Sequence, residues 1–283
     1  LISSTTNYGL RGSGRPPASR RTSMGYEFIS YEKKGRIVYV TIERPERLNA
    51  LHPPANLELY NAFTEFNNDP DAWVAIITGT GEKAFSAGND LVYTSQNWAE
   101  RESNAIRAPF GGITSHFECW KPIIGAVNGY ALGGGFELAM ACDIIIMADH
   151  AQVGLPEPRV GLIAGAGGVH KLPRHIPIKI AMGMMLTATR IDAAEAYRLG
   201  IANEVVPQAD LMATAEKWAN QILEVAPLSA RASKQMAYQG LASSVEVAFD
   251  RKYSEEAKFL ASDDRREGPL AFAEKRKPNW TGK

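Results

Sequence analysis

Short apolar runs that stop at glycine or proline and alternate with helical segments restrict this chain to a layered α/β core. Residues 36–43, RIVYVTIE, place Val38, Val40 and Ile42 on one face. They read as a strand that follows a turn at Lys34-Gly35 and ends at Pro45. Residues 55–68 carry Leu59, Phe63 and Phe66 at helical spacing and stop at Asn67-Asn68-Asp69-Pro70. WVAIIT, 73–78, predicts a short, fully apolar strand closed by Gly79-Thr80-Gly81. Residues 90–118 predict a helix broken at Pro109 and Gly111-Gly112. IIGAV, 123–127, predicts a second buried strand; Gly133-Gly134-Gly135 then opens a helix through about Cys142, and Ile144–Met147 predicts a further strand. Beyond the Gly-rich loop Gly165-Ala166-Gly167-Gly168 the pattern is mostly helical. One amphipathic helix carries Leu211, Ala215, Trp218 and Ile222, and another is predicted over 245–260. Strands alternating with helices, then helices alone, predict an α/β core with a helical C-terminal part. No repeat is visible in the sequence.

The charge balance removes several function classes. Lys+Arg and Asp+Glu both number 31 in 283 residues, so there is no basic excess of the kind that general nucleic-acid or membrane-surface binding needs. No apolar run approaches the ~20 residues of a membrane span. Cys119 and Cys142 read as reduced, buried thiols, and no Cys/His cluster points to a metal. Residues 1–23 stand apart: they are rich in Ser, Gly, Pro and Arg (Arg11, Arg15, Arg20, Arg21), and the first acid is Glu27. That composition supplies no core and reads as disordered. Two readings stand for it. Either it is an over-long start with Met24 as initiator, which goes with a cytoplasmic protein, or it is an organelle transit peptide, which goes with a mitochondrial one.

Three segments carry candidate chemistry. In Asn128–Asp143, NGYALGGGFELAMACD, three glycines stand between an apolar strand and an apolar helix, with Glu137 in the first helical turn. The first N–H groups of a helix lack an intrahelical partner and suit a developing oxyanion. A plain tight turn with a first-turn dipole partner fits the same letters. In Lys83–Leu91, KAFSAGNDL, the small-residue turn Ser86-Ala87-Gly88 presents another N–H; it reads equally as a loop with Asp90 as helix N-cap. In Gly154–Gly168, Glu157 lies between two prolines on what reads as stiff, extended backbone, suited to proton transfer or to a plain exposed loop.

Together, in this order, the segments KAFSAGNDL, GAVNGYALGGGFELAMACD, VGLPEPRVGLIAGAGGVHKLPR, ATRIDAAEAYRLGIANEVVP and REGPLAFAEKRKPNW resemble the crotonase (enoyl-CoA hydratase/isomerase) superfamily over about residues 26–283. The resemblance implies an α/β fold: a ClpP-like spiral of ββα turns over 24–205, and a helical C-terminal trimerisation region over 206–283. It implies an acyl-CoA substrate, with coenzyme A as part of that substrate and no separate cofactor, and a homotrimer or a hexamer built as a dimer of trimers. Carried over by position, the oxyanion donors are the backbone N–H groups of Asn89 and Gly134. The acid/base pair is Glu137 and Glu157. CoA contacts fall on Lys83, Ala87, Asp90 and Leu91, and on Phe272 and Lys275, often from a neighbouring subunit.

Both glutamates together favour hydratase/dehydratase chemistry over isomerisation, which in this family commonly needs only the acid at the Glu157 position. FELA, LPEP and the C-terminal wording are most similar to the carnitinyl-CoA dehydratase branch. The chain departs from the family at Ala164, usually proline, and at Val169-His170-Lys171, usually Thr-Gln-Arg. These changes bear on the acyl group more than on the reaction, and His170 reads as a substrate contact or a surface histidine. Some homologues bind RNA through a basic early helix, but here no Lys or Arg lies between Leu48 and Glu82, so phosphates would go unneutralised. A non-catalytic assembly subunit is the remaining alternative, and retention of both glutamates argues against it.

Overall fold

The structure is a computed structural model and describes residues 25–98 and 108–283. The 1–23 tail and the middle of the 90–118 segment lie outside the described residues.

A hairpin begins the fold: β1 (Ile29–Lys34) pairs antiparallel with β2 (Ile37–Ile42) around Gly35, whose φ of 59° suits glycine at the turn. β2 then runs parallel to β3 (Val74–Gly79), β3 to β5 (Ile123–Val127), β5 to β7 (Ile144–Ala148) and β7 to β10 (Glu204–Val206), giving the sheet order β1-β2-β3-β5-β7-β10. A second sheet is ordered β4 (Ala84–Ser86), β6 (Tyr130–Leu132), β8 (Gln152–Gly154), β9 (Arg190–Asp192).

The strands β3, β5 and β7 each hand the chain from the first sheet to the second, at β4, β6 and β8. Helices or helical turns then follow: α2 (Leu91–Gln96), α3 (Gly134–Ala139), and the 3-10 turn Glu157–Val160 before α4 (Gly168–His175). This is the repeated ββα turn that the resemblance implies. The repeat resides in backbone path, and different side chains fill it at each step. The remaining helices, from α5 (Ile178–Thr187) and α6 (Ala193–Arg198) to α7 (Leu211–Leu223), α8 (Pro227–Gly240), α9 (Val245–Asp250), α10 (Ser254–Ala261) and α11 (Asp264–Ala273), make the second half mainly helical.

Parallel strands covered on both faces are apolar at successive positions. Val74, Ala75, Ile76 and Ile77, and Ile123 through Val127, are buried accordingly. α1 (Pro53–Asn68) starts with two prolines in its first turn, where no N–H is needed, and buries Leu59, Phe63 and Phe66. Each fully buried Phe of this kind contributes about 1.5–3 kcal/mol. Among the described residues no helix is long and apolar enough to cross a membrane.

Three expectations change, and one is met in its described part. α3 ends at Ala139 rather than near Cys142, because Ala141 N–H and Cys142 N–H bond three residues back and Asp143 N–H is taken by Ile123 O on β5. Within 90–118 the described residues are helical at α2 and at Trp98, and the expected break is met at a short 3-10 turn over Phe110–Gly112, where Gly111 (φ 57°) reverses the chain. The predicted 245–260 helix divides into α9 and α10, since Arg251 takes an extended conformation (ψ 139°) between them. Glu157 sits in a 3-10 turn, not on extended backbone. Arg159 N–H to Pro156 O and Leu162 N–H to Glu157 O close that turn, and Pro158 falls in its first turn where a missing N–H costs nothing.

Candidate active site

The first donor is made by a bridge between two distant segments. Leu51 N–H donates to Gly88 O (2.7 Å) and Asp90 N–H to Leu51 O (2.9 Å). Those two bonds flank Asn89 and aim its N–H away from Leu51. Among the described residues that N–H has no acceptor, and the Asn89 side chain is turned aside to Thr94 Oγ1 (2.9 Å). The second donor is Gly134, the first residue of α3, whose N–H, like any in a first helical turn, has no intrahelical acceptor and finds none among the described residues.

The two donors belong to segments in direct contact. A Cβ on Gly88 would lie 2.8 Å from Gly134 N and 2.6 Å from Leu132 O, and a Cβ on Gly135 would lie 1.9 Å from Ser86 O. Glycine at 88 (φ 89°) and at 135 is what allows this approach. Two residues of the sequence that attracted no role anchor the first segment. Asn49, 1 % exposed, donates to Ala84 O (2.7 Å) and Thr80 O (3.0 Å). Asn128 Nδ2 donates to Gly79 O, Gly81 O and Ala84 O and its Oδ1 accepts from Gly79 N–H. Ser86 Oγ donates to Asn49 O (2.8 Å) and accepts from Gly88 N–H (3.2 Å).

Both glutamates reach this place. Glu157 lies against the glycine before Gly134: its Oε1 is 3.1 Å from the position a Cβ on Gly133 would take. Its Oε2 is buried without a hydrogen-bond partner among the described residues, and burial pushes its carboxyl above the usual range. Glu137 is 3 % exposed and its Oε1 accepts from Gly168 N–H (2.8 Å) at the start of α4. Burial pushes its carboxyl up to about 7; the backbone N–H groups of Gly168 and Ala166 oppose the rise and the neighbouring Glu157 adds to it. Phe110 closes one side, since a Cβ on Gly134 would come within 2.4 Å of its ring. Nothing in the letters around Phe110 signals that position.

The remaining expected residues are placed as follows. Asp90 is the N-cap of α2, accepting from Tyr93 N–H (3.0 Å), and its other oxygen pairs with buried Arg44 Nη2 (3.0 Å). Its side chain is thus committed to structure, and so is its backbone, whose N–H donates to Leu51 O and whose carbonyl accepts from Thr94 N–H (2.9 Å). The cap and an exposed N–H coexist in this segment, because the cap uses the Asp90 carboxylate and the exposed N–H is that of Asn89. Lys83 and Leu91 are exposed, and Ala87 is half-buried. Phe272, 88 % exposed, and Lys275 lie at the end of α11, which packs on α10. His170 is exposed on α4.

The Arg44–Asp90 pair makes a prediction. Arg44→Met leaves a buried carboxylate with one backbone partner, so unfolding free energy is expected to drop by about 3–5 kcal/mol. A urea midpoint equal to the parent's would show that the pair does not hold this turn.

The profile of the family described as enoyl-CoA hydratase/isomerase matches residues 32–283. The chain belongs to the enoyl-CoA hydratase/isomerase family. It is 42 % identical over 261 residues to a carnitinyl-CoA dehydratase of Escherichia coli, covering 91 % of this chain and 99 % of that one, which places it in a carnitinyl-CoA dehydratase-like branch. Among solved structures, the enoyl-CoA hydratase of Mycobacterium tuberculosis superposes with a TM-score of 0.83 at 35 % identity, over 90 % of this chain and 99 % of that one. The enoyl-CoA hydratase of Bacillus anthracis gives 0.83 at 33 % identity, over 91 % and 100 %. The crotonase fold read from the sequence is thereby shown, with the free N–H groups and the two glutamates inside the region that matches.

Proposed function

We propose that the protein is a hydro-lyase that adds water reversibly to a 2-enoyl-CoA, giving a 3-hydroxyacyl-CoA. The observation that carries this is the convergence of Glu137 and Glu157 beside the free N–H groups of Asn89 and Gly134. The thioester carbonyl accepts from both N–H groups. Glu137 takes a proton from water as the water oxygen bonds to the β-carbon. The C=C electron pair moves toward the carbonyl, and Glu157 delivers a proton to the α-carbon, so one water is consumed and the carboxyl pair ends with the proton count it began with. Charge builds on the thioester oxygen only on the way to the enolate-like state, so donors fixed in advance stabilise that state more than the substrate. The hydratase and dehydratase names of the relatives describe the two directions of such a reaction. The exposed Phe272 and Lys275 fit a CoA nucleotide site completed by a neighbouring copy, as in a homotrimer or a dimer of trimers.

The test is incubation with crotonyl-CoA and crotonobetainyl-CoA in deuterated water, followed by mass spectrometry. Gain of one water with deuterium at the α-carbon supports the reading. Double-bond migration without water gain replaces it with isomerase chemistry. Mass measurement of the intact assembly reads the subunit count separately.

The pair also predicts a pH profile. Glu137, as the base, must be ionised, and its carboxyl loses its proton as pH rises through about 7, so kcat/KM for hydration is expected to rise over that range. Glu157, as the acid, must keep its proton, and kcat/KM is expected to fall again at higher pH as that carboxyl, also raised by burial, ionises. Each Gln variant should lose the limb of the residue it replaces in its residual activity. A flat profile between pH 5 and 9.5 contradicts these roles.

A further inference from the structure

Glu137 takes its hydrogen bond from a helix that is not its own. Its Oε1 accepts from the N–H of Gly168, the first residue of α4, and the first turn of α4 holds no Asp or Glu. A carboxylate is favoured at such a helix end, and a cation is not. Yet Lys171 closes this same turn, its backbone N–H donating to Gly167 O (2.7 Å). Long side chains on a helix lean back toward its N-terminus, and that of Lys171 does so. Its Cδ and Cε lie 3.6 and 3.4 Å from the place a Cβ on Gly167 would take. The ammonium, one bond further, is thereby brought beside the peptide whose N–H Glu137 holds.

The neighbouring charges single out Glu137 as the group on which this ammonium acts. Lys171 is half-buried and, among the described residues, makes no ion pair. The titratable groups around it are Glu137 on α3, Cys142 and Asp143 just after α3, Lys234 on α8, and His175 one turn further along α4. Asp143 is already engaged, since its Oδ2 accepts from Lys234 Nζ (2.7 Å) and from Ile123 N–H (2.8 Å). Burial pushes the Cys142 thiol up to about 12, so no thiolate competes. Burial, with Lys171 beside it, lowers His175 and leaves it neutral at pH 7. Glu137 makes no ion pair of its own among the described residues. Burial does most to raise its carboxyl and Glu157 adds to the rise, while Lys171 joins the N–H groups of Gly168 and Ala166 in opposing it. Glu157, by contrast, is raised by burial and opposed by its own backbone N–H.

We propose that Lys171 is a positioning residue of the acid/base pair: through its charge, and without touching substrate, it keeps Glu137 in the ionised form that can take a proton from water. The inference rests on the hydratase reading of the site and deepens it. The two glutamates must hold opposite protonation states at one pH, whereas burial and mutual repulsion push both the same way. A cation on the Glu137 side of the pair tells them apart. In a half-buried place the attraction is screened less than in water, so it acts without direct contact.

The experiment follows kcat/KM from pH 5 to 9.5 in the parent, Lys171→Met and Lys171→Arg, with whichever of crotonyl-CoA and crotonobetainyl-CoA the parent hydrates faster. Methionine keeps most of the stem and removes the charge. Lys171→Met is expected to lower kcat/KM at pH 5.5 by about three- to tenfold and to approach the parent as pH rises, because the limb set by Glu137 moves to higher pH. Lys171→Arg restores the charge and is expected to return that limb to its place. An equal loss at every pH in Lys171→Met, an unmoved limb, or a limb that arginine does not restore overturns the inference. Carbon-13 NMR titration of the Glu137 carboxyl in glutamate-labelled protein, identified by its loss in Glu137→Gln, reads the same interaction without turnover. If the parent hydrates neither thioester but this titration moves to higher pH in Lys171→Met, the hydratase reading fails and the charge effect stands. An unmoved titration overturns the charge effect itself.

Discussion

Glu137→Gln is expected to lower kcat for hydration by about 10²–10⁴ and at the same time to make the protein more stable above pH 7. The activity loss follows from removing the group that accepts the water proton, while a Gln oxygen can still accept from Gly168 N–H and keep the loop in place. The stability gain follows from linkage. The Glu137 carboxyl goes from 4.5 in the unfolded chain to about 7 in the fold. The folded form therefore binds a proton that the unfolded chain has released, and stability is lost as pH rises from the lower value through the upper one. Gln carries no such penalty, so the variant should gain up to about 3 kcal/mol at pH 8 and little at pH 4. Glu157→Gln should also inactivate, and by easing the repulsion on Glu137 should bring that carboxyl down. Thermal melts at pH 4, 6 and 8 alongside initial rates check the set. A Glu137→Gln protein that is both active and no more stable at pH 8 would refute the role and the burial argument together.

Gly88→Ala is expected to cost about 10²–10³ in kcat for each oxyanion donor displaced, although no side chain of the parent is removed. The added methyl would sit 2.6 Å from Leu132 O and 2.8 Å from Gly134 N, both backbone atoms. Neither can retreat without moving α3 and its free N–H. The left-handed conformation adds about 1–3 kcal/mol of strain. Gly81 separates the two effects. Its φ of 85° is close to the 89° of Gly88, but an added Cβ there meets nothing within 4 Å. Gly81→Ala should lose comparable stability and keep its kcat. The absorption of a bound cinnamoyl thioester, which shifts to longer wavelength when its carbonyl is polarised, should return toward its solution value in Gly88→Ala and not in Gly81→Ala. Identical behaviour of the two variants in both readouts would mean that strain alone, not the contact with Gly134, controls the site.

Much of the fold is legible in the amino-acid sequence. The strands at 74–79, 123–127 and 144–148 come within a residue of their expected bounds, since a buried parallel strand is a short apolar run whatever its neighbours. Helix ends are less legible. α3 stops at Ala139 because Ile123 O, on a strand that precedes it, captures Asp143 N–H, and that acceptor is invisible to local periodicity. The bend that divides α9 from α10 likewise breaks a continuous apolar pattern at Arg251. Of the candidate site, Glu137, Glu157, Asn89 and Gly134 can be named from three segments and their resemblance to a family, yet each segment alone also admits a plain turn, cap or loop.

The sequence by itself determined the class of fold, the short strands, and the identities of the two carboxylates and the glycines between them, because these depend on side-chain period and on which residues tolerate a missing Cβ. The tertiary structure alone decided that Gly88 touches Gly134, that Glu157 rests on Gly133, and that Asp90 turns inward to Arg44. Those contacts join residues far apart along the chain, brought together as the backbone passes from one sheet to the other and back. Each pairing is set by the register and stacking of whole strands, a property of the assembled layers that no local stretch of letters contains.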